Sequence, residues 1–115
     1  MNLKHFSTVN LSRYLRWHPQ GINSWTRSDW AVAMVGEAGE ACNFIKKLNR
    51  LRDGLVGNRG EDADAELLRK KLGKEIADVV IYCDLMAQAE GLDLSTLIAE
   101  KFNEVSVRNG FPERV

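Results

Sequence analysis

Apolar residues recur at helical spacing in two long stretches of the chain. Stepping three or four residues at a time from Trp30 gives Met34, Glu37, Ala41, Phe44, Leu48 and Leu51. The same step from Leu68 gives Leu72, Glu75, Val79, Tyr82 and Met86. A 3.6-residue period sustained over several turns predicts two long amphipathic helices. The earlier should open at Ser28-Asp29, either of which can supply the N-cap oxygen, and persist to about Arg52. The later should run from about Ala63 to about Glu90, with Gly91 as its stop. A shorter helix is expected over residues 3–16, with Phe6, Val9, Leu11 and Leu15 as its modest apolar content. His18-Pro19-Gln20-Gly21 breaks it, and residues 17–27 read as a loop. Asp93 or Ser95 opens a last helix with the stripe Leu94, Leu97, Ile98, Phe102 and Val105, closed by Gly110-Phe111-Pro112. The expected fold is all-α with four helices in a single domain over residues 1–115. The second and third helices should form an antiparallel hairpin across the polar connection Asp53-Gly54 and Gly57-Asn58-Arg59-Gly60.

Composition adds limits. The 115 residues balance sixteen acids against sixteen bases. Zero net charge argues against nucleic acid or a membrane surface as partner. Nothing approaches the ~20 apolar residues of a membrane span, and the N-terminus lacks the apolar core and cleavage pattern of a signal peptide. A cytoplasmic protein is expected. Cys42 and Cys83 form neither a disulfide framework nor a metal-ligand spacing, and both are expected as small buried core residues.

Four acids change the picture. Glu37 and Glu40 in VGEAGEA, and Glu75 and Asp78 in KEIADVV, are each spaced i, i+3 and project from one side of their helix. Glu37 and Glu75 occupy core positions of apolar stripes, where carboxylates are rare unless paired or bound to a metal. No run of Arg or Lys shares those faces. Glu40 and Glu75 are each expected roughly 18 Å from the hairpin turn, which puts the two pairs at one level. All-oxygen sites suit Mg²⁺, Mn²⁺ or Ca²⁺. A di-iron centre would want Glu-x-x-His pairs, and His5 and His18 lie outside both helices.

Mg²⁺ on a few carboxylates is typically completed by substrate phosphates. Lys46, Lys47, Arg50 and Arg52 follow Glu40 along its helix, and Lys101 and Arg108 lie on the last helix. Lys101, beside the apolar Phe102, is the first choice for a phosphate contact; solvated helix-end charge is the alternative for the others. Trp17, Trp25 and Trp30 fall within fourteen residues. Trp30 continues the core stripe, whereas Trp25, in a polar loop, is the candidate for stacking a base. Gly36 and Gly39 interleave with Glu37 and Glu40 and would leave room for a neighbouring helix or a ligand, with simple tolerance of glycine as the alternative. The Tyr82 hydroxyl is one turn beyond Asp78, where it could reach a ligand or a carboxylate; a core tyrosine with a satisfied hydroxyl is the alternative.

The V-G-E-x-G-E-x and E-I-A-D-V-V-I-Y segments, with the ending I-A-E-K-F-N-E-V-S-V-R-N-G-F-P, resemble the MazG-like superfamily of all-α nucleoside triphosphate pyrophosphatases. The resemblance covers roughly residues 24–113 and its short, single-domain members. It implies Mg²⁺-dependent (or Mn²⁺-dependent) hydrolysis of an NTP or dNTP between the α and β phosphates, as house-cleaning of non-canonical or surplus nucleotides. Glu37, Glu40, Glu75 and Asp78 would be the metal ligands, with Glu37 or Glu40 also orienting or deprotonating the attacking water. Tyr82 and Lys101 match residues that family members place near the nucleotide, and Trp25 falls in the loop that holds the base. Some relatives carry an asparagine four residues after the lysine; here that position is Val105, and Asn103 is the available amide. The resemblance also implies a homodimer or homotetramer.

Two other readings use the same residues. Phosphoribosyl-ATP pyrophosphatases share the helical fold and chemistry, although the tryptophan loop and the K-F-N-E-V-S-V-R ending suit the MazG-like group better. A non-catalytic helical module would use the acids only to hold an ion or a nucleotide.

Overall fold

A computed structural model describes residues 1–115. It is all-helical, with α1 at Leu3–Trp17, α2 at Arg27–Arg52, α3 at Ala65–Ala89 and α4 at Leu94–Asn109. Two short 3₁₀ turns, Ile22–Ser24 and Gly60–Ala63, interrupt the connections before α2 and α3. The chain forms two compact units, residues 27–82 and residues 1–26 with 83–115, whose boundary falls inside α3.

Helix ends follow local chemistry closely. Asn2, Asp64 and Asp93 cap α1, α3 and α4, their side-chain oxygens accepting from the backbone N–H of His5, Leu67 and Thr96 at 2.8, 3.1 and 2.8 Å. Of the two caps expected for α4, Asp93 is the one used. The α2 expectation needs correction: the helix already begins at Arg27, so Ser28 and Asp29 lie in its first turn, where Asp29 meets the positive end of the dipole. The α3 start is also later than expected, because residues 60–63 wind as a 3₁₀ turn.

Three helices end alike. Gly54, Gly91 and Gly110 adopt φ of 66°, 71° and 70° just past α2, α3 and α4. In each case the next residue's N–H reaches back five residues: Leu55 to the Arg50 carbonyl, Leu92 to Ala87 and Phe111 to Ser106, at 2.9, 2.8 and 2.9 Å. This is the Schellman arrangement, and its left-handed residue is cheap only as glycine.

In unit 27–82 the two predicted stripes are the sheltered faces. Trp30 and Leu68 are 1% and 0% exposed and Ala41 is buried. Met34, Glu37, Phe44, Leu48, Leu72, Glu75, Val79 and Tyr82 are half-buried. Trp30 meets Tyr82 with ring centroids 6.5 Å apart, and farther along α2 Glu37 and Glu40 meet Glu75, farther back on α3. The two helices therefore run antiparallel, as their patterns predict.

In the other unit the packing departs from the apolar reading of α1. Val9 and Leu15 are 51% and 38% exposed, while Asn10 and Tyr14 are the residues of α1 that are buried. Asn10 is buried because α1 docks through polar chemistry onto Asp84, which is fully buried. The Asp84 carboxylate accepts from Ser7 Oγ, from Asn10 Nδ2 at 2.9 Å and from Gln88 Nε2 at 2.9 Å. Gln88 Nε2 also donates to the Ser7 carbonyl at 2.9 Å. Buried carboxylates persist only when satisfied in this way. On α4, Ile98 and Phe102 are 47% and 44% exposed, so only part of the expected stripe is covered.

The expectation of two buried thiols fails for Cys42, which is exposed on α2; Cys83 is half-buried, and burial pushes its thiol above the ordinary range. No helix is long and apolar enough to cross a membrane.

Candidate functional site

Three of the four acids singled out by the sequence converge. Glu37 and Glu40, one turn apart on α2, and Glu75 on α3 each offer a carboxylate oxygen, and these oxygens lie within 4.8 Å of one another. The i, i+3 spacing puts both α2 acids on the side facing α3, and the antiparallel hairpin supplies the third. Asp78 lies outside this group. One turn farther along α3, it acts on the site through its charge, which raises the pKa of both Glu40 and Glu75.

No lysine or arginine pairs with any of these acids; the hairpin's ion pairs include Lys47–Asp62, Arg52–Asp53, Lys70–Glu66 and Lys71–Glu61. The carboxylates therefore perturb one another. Glu40 is held above its ordinary value of 4.5, chiefly by its hydrogen bond with Glu75 and then by that group's charge. Glu75 is raised chiefly by partial burial, then by its hydrogen bond with Glu37 and the charges of Glu37 and Asp78; its bond with Glu40 works the other way. Glu75 Oε2 is shielded from solvent and receives no hydrogen bond from a donor group. A shielded carboxylate oxygen without a donor, among like charges, fits a hard divalent cation that takes oxygen ligands. Glu37, Glu40 and Glu75 are the residues that would hold it.

Beside the acids lies an open depression of about 440 Å³, lined by Gly36, Gly39, Glu40, Asn43, Phe44 and Glu75. A Cβ at Gly36 or Gly39 would meet nothing within 4 Å, so packing within this chain does not require either glycine. Asn43 had not been singled out from the sequence, although its position three residues after Glu40 places it on the same face.

The remaining sequence candidates are distributed as follows. Lys47, half-buried on α2, bridges to Asp62 at 3.0 Å and lies 5.6 Å from the Phe44 ring centroid. The Tyr82 ring is tilted against Trp30, whose near-complete burial gives it the core role expected. Trp25 is only half-buried but is not a bare platform: it meets Tyr14 and His18 edge-on, at 6.4 and 5.3 Å between centroids. Trp17 is 69% exposed, with the Arg13 guanidinium 5.7 Å from its ring. On α4 both Lys101 and Arg108 turn to Glu104, at 2.7 and 3.9 Å. Asn103 clamps the C-terminal residue: its Nδ2 donates to the Val115 carbonyl at 3.0 Å and its Oδ1 accepts from the Val115 N–H at 2.9 Å. Lys101 and Phe102 also line an apolar groove of about 890 Å³ between α4 and Phe111-Pro112, which contains no cluster of carboxylates.

The chain is 31% identical over 77 residues to the Gene 37 protein of Mycobacterium phage L5, an alignment covering 67% of this chain and 60% of that protein. No family model and no solved structure matches the chain.

Proposed function

We propose that the protein is a Mg²⁺-dependent nucleoside triphosphate pyrophosphatase of MazG-like type. It would hydrolyse an NTP or dNTP between the α and β phosphates to a monophosphate and pyrophosphate, with house-cleaning of non-canonical or surplus dNTPs as its role. The reading is carried by the triad Glu37, Glu40 and Glu75, closed across a hairpin without a neutralising cation and with one shielded oxygen lacking a donor. A bound Mg²⁺ would neutralise phosphate charge and lower the pKa of a coordinated water.

The chain's own residues divide the remaining work. Glu37 and Glu75, half-buried, hold their carboxylates in fixed positions on two packed helices. Glu40 is exposed and borders the depression, so it is the group placed to orient the attacking water and accept its proton. Asp78 adds negative charge from one turn away and strengthens cation binding through the field. Asn43 and Phe44 offer an amide and a ring face along the depression. Trp25, Tyr82, Lys101, Asn103 and Arg108 keep their assignment to nucleotide contacts as part of the proposal. These five, and Lys47 assigned with them, have partners or packing that substrate would have to share or replace. Exposed Val32, Val35, Ile76 and Val80 on α2 and α3 support assembly as a homodimer or homotetramer. A single domain acting in the cytoplasm completes the reading.

Product analysis tests it. Wild type and Glu40→Gln are incubated with Mg²⁺ and each of the eight common NTPs and dNTPs. Monophosphate with pyrophosphate from the wild type alone is expected. Diphosphate with orthophosphate would end the α–β assignment, and metal binding with no turnover of any nucleotide would favour the non-catalytic module.

A further inference from the structure

The connection between α2 and α3 is fastened by charge. Asp62, in the Gly60–Ala63 turn, lies 3.0 Å from Lys47 Nζ on α2. Its neighbour Glu61 accepts from Lys71 Nζ on α3 at 2.8 Å. Asn58 Nδ2 donates to the Lys47 carbonyl at 2.8 Å, so the segment grips that residue through the main chain as well. The attachment owes little to apolar burial: Leu55 and Val56 in the same connection are 59% and 97% exposed. Gly57 and Gly60, at φ of 127° and 57°, give it turns that other residues adopt with strain.

The two lysines stand in a particular place. Lys71 precedes Glu75 by four residues, one helical turn or roughly 6 Å along α3. Lys47 follows Glu40 by seven residues, two turns or roughly 10 Å along α2. Both offsets return to the face that carries the acid, and in an antiparallel hairpin both lead from the acids toward the connection. A triphosphate centred on the acids brings charge that needs cations beyond the metal, and these two side chains lie in line with it. They are also more sheltered than the acids that hold them, with side chains 24% and 32% exposed against 36% for Asp62 and 73% for Glu61.

We propose that Lys47 and Lys71 form the seat of the substrate's terminal phosphates, and that the Glu61-Asp62 turn is a strap which occupies this seat until those phosphates displace it. The two carboxylates then act as internal stand-ins for phosphate oxygens. The inference rests on the triphosphate reading of the acids. It adds Lys71 to the binding residues and makes the hairpin connection a competitor of substrate.

The test is calorimetric titration of the full chain with inorganic tripolyphosphate, in chelator and again in Mg²⁺. Lys47→Met and Lys71→Met, which keep the aliphatic stems, are each expected to weaken binding about tenfold. Glu61→Gln/Asp62→Asn is expected to tighten it several-fold, a gain that a misfolded variant cannot produce. Asp53→Asn/Glu66→Gln removes the same charge elsewhere on the hairpin and should change affinity less than about threefold, because exposed charges are screened. A deoxynucleoside monophosphate, lacking the terminal phosphates, should bind equally to all these proteins. Unchanged affinity in both lysine variants overturns the seat, and unchanged or weaker affinity in the Glu61/Asp62 variant overturns the strap. Absence of pyrophosphate release with the tripolyphosphate pattern intact would instead remove the hydrolase reading and leave the anion seat standing.

Discussion

Glu40 and Glu75 bring carboxylate oxygens within 4.8 Å of one another across the α2–α3 hairpin, and both carboxyls are raised above their ordinary value of 4.5. A group whose pKa is raised on folding binds its proton more tightly in the native state. Its contribution to stability is complete below the unfolded value and is lost as pH rises through the folded one. In chelator, the melting temperature is therefore expected to fall as pH climbs from about 4.5 through the raised values of these two acids. Mg²⁺ should offset the fall by binding the native triad. Glu75→Gln should flatten the difference between chelator and Mg²⁺. Asp53, Asp93 and Glu104 have lowered values and oppose this trend only at more acidic pH. Melting curves of both proteins at several pH values decide the matter; an unchanged pH profile in Glu75→Gln would count against the coupling.

On the proposed reading, Glu37→Gln and Glu75→Gln should each reduce turnover at least about 10–100-fold, the range seen even for groups that only support metal ligands. Asp78→Asn should cost less, since Asp78 lies outside the triad. Pyrophosphate release against Mg²⁺ concentration gives the check. Equal losses for Asp78 and Glu75 would place Asp78 among the ligands.

Asp84→Ala should destabilise the fold by about 2–4 kcal/mol, because it deprives Ser7, Asn10 and Gln88 of their shared acceptor inside the protein. Urea unfolding measures this. A loss below 1 kcal/mol would mean that water replaces the carboxylate.

Trp30→Ala should cost about 3–5 kcal/mol, as the ring is 1% exposed and packs on Tyr82. Trp17→Ala, at a residue 69% exposed, should stay within about 0.5 kcal/mol. Denaturant midpoints of the two variants give the comparison, and similar losses would contradict the burial described.

The hairpin was legible because its information is periodic. Glu37 and Glu75 stand in apolar stripes whose spacing alone aims them inward. Asp84 sits in the same kind of run, Tyr82-Cys83-Asp84-Leu85-Met86, and was passed over. Its partners Ser7 and Asn10 lie 77 and 74 residues away, and local spacing carries no signal for contacts of that range. The Lys47–Asp62 and Lys71–Glu61 pairs were hidden for another reason. They depend on the path of a connection turned by glycines at positive φ, and composition marks such a segment as a loop without saying where it goes. Trp25 shows a third limit: a tryptophan in a polar segment reads as available, and only the fold reveals the Tyr14 and His18 rings against it.

Residues 27–82 contain ten acids and ten bases, so the hairpin unit is electrically balanced only with Glu37, Glu40, Glu75 and Asp78 counted among the acids. On the proposed reading, each divalent cation held by the triad would add two positive charges and leave the unit's bases in excess. The unit would then turn from neutral to attractive for polyanions, and diffusional capture of a nucleotide would quicken only after the metal had arrived. An order of addition, ion first and nucleotide second, would thus be written into the charge inventory of one helical hairpin.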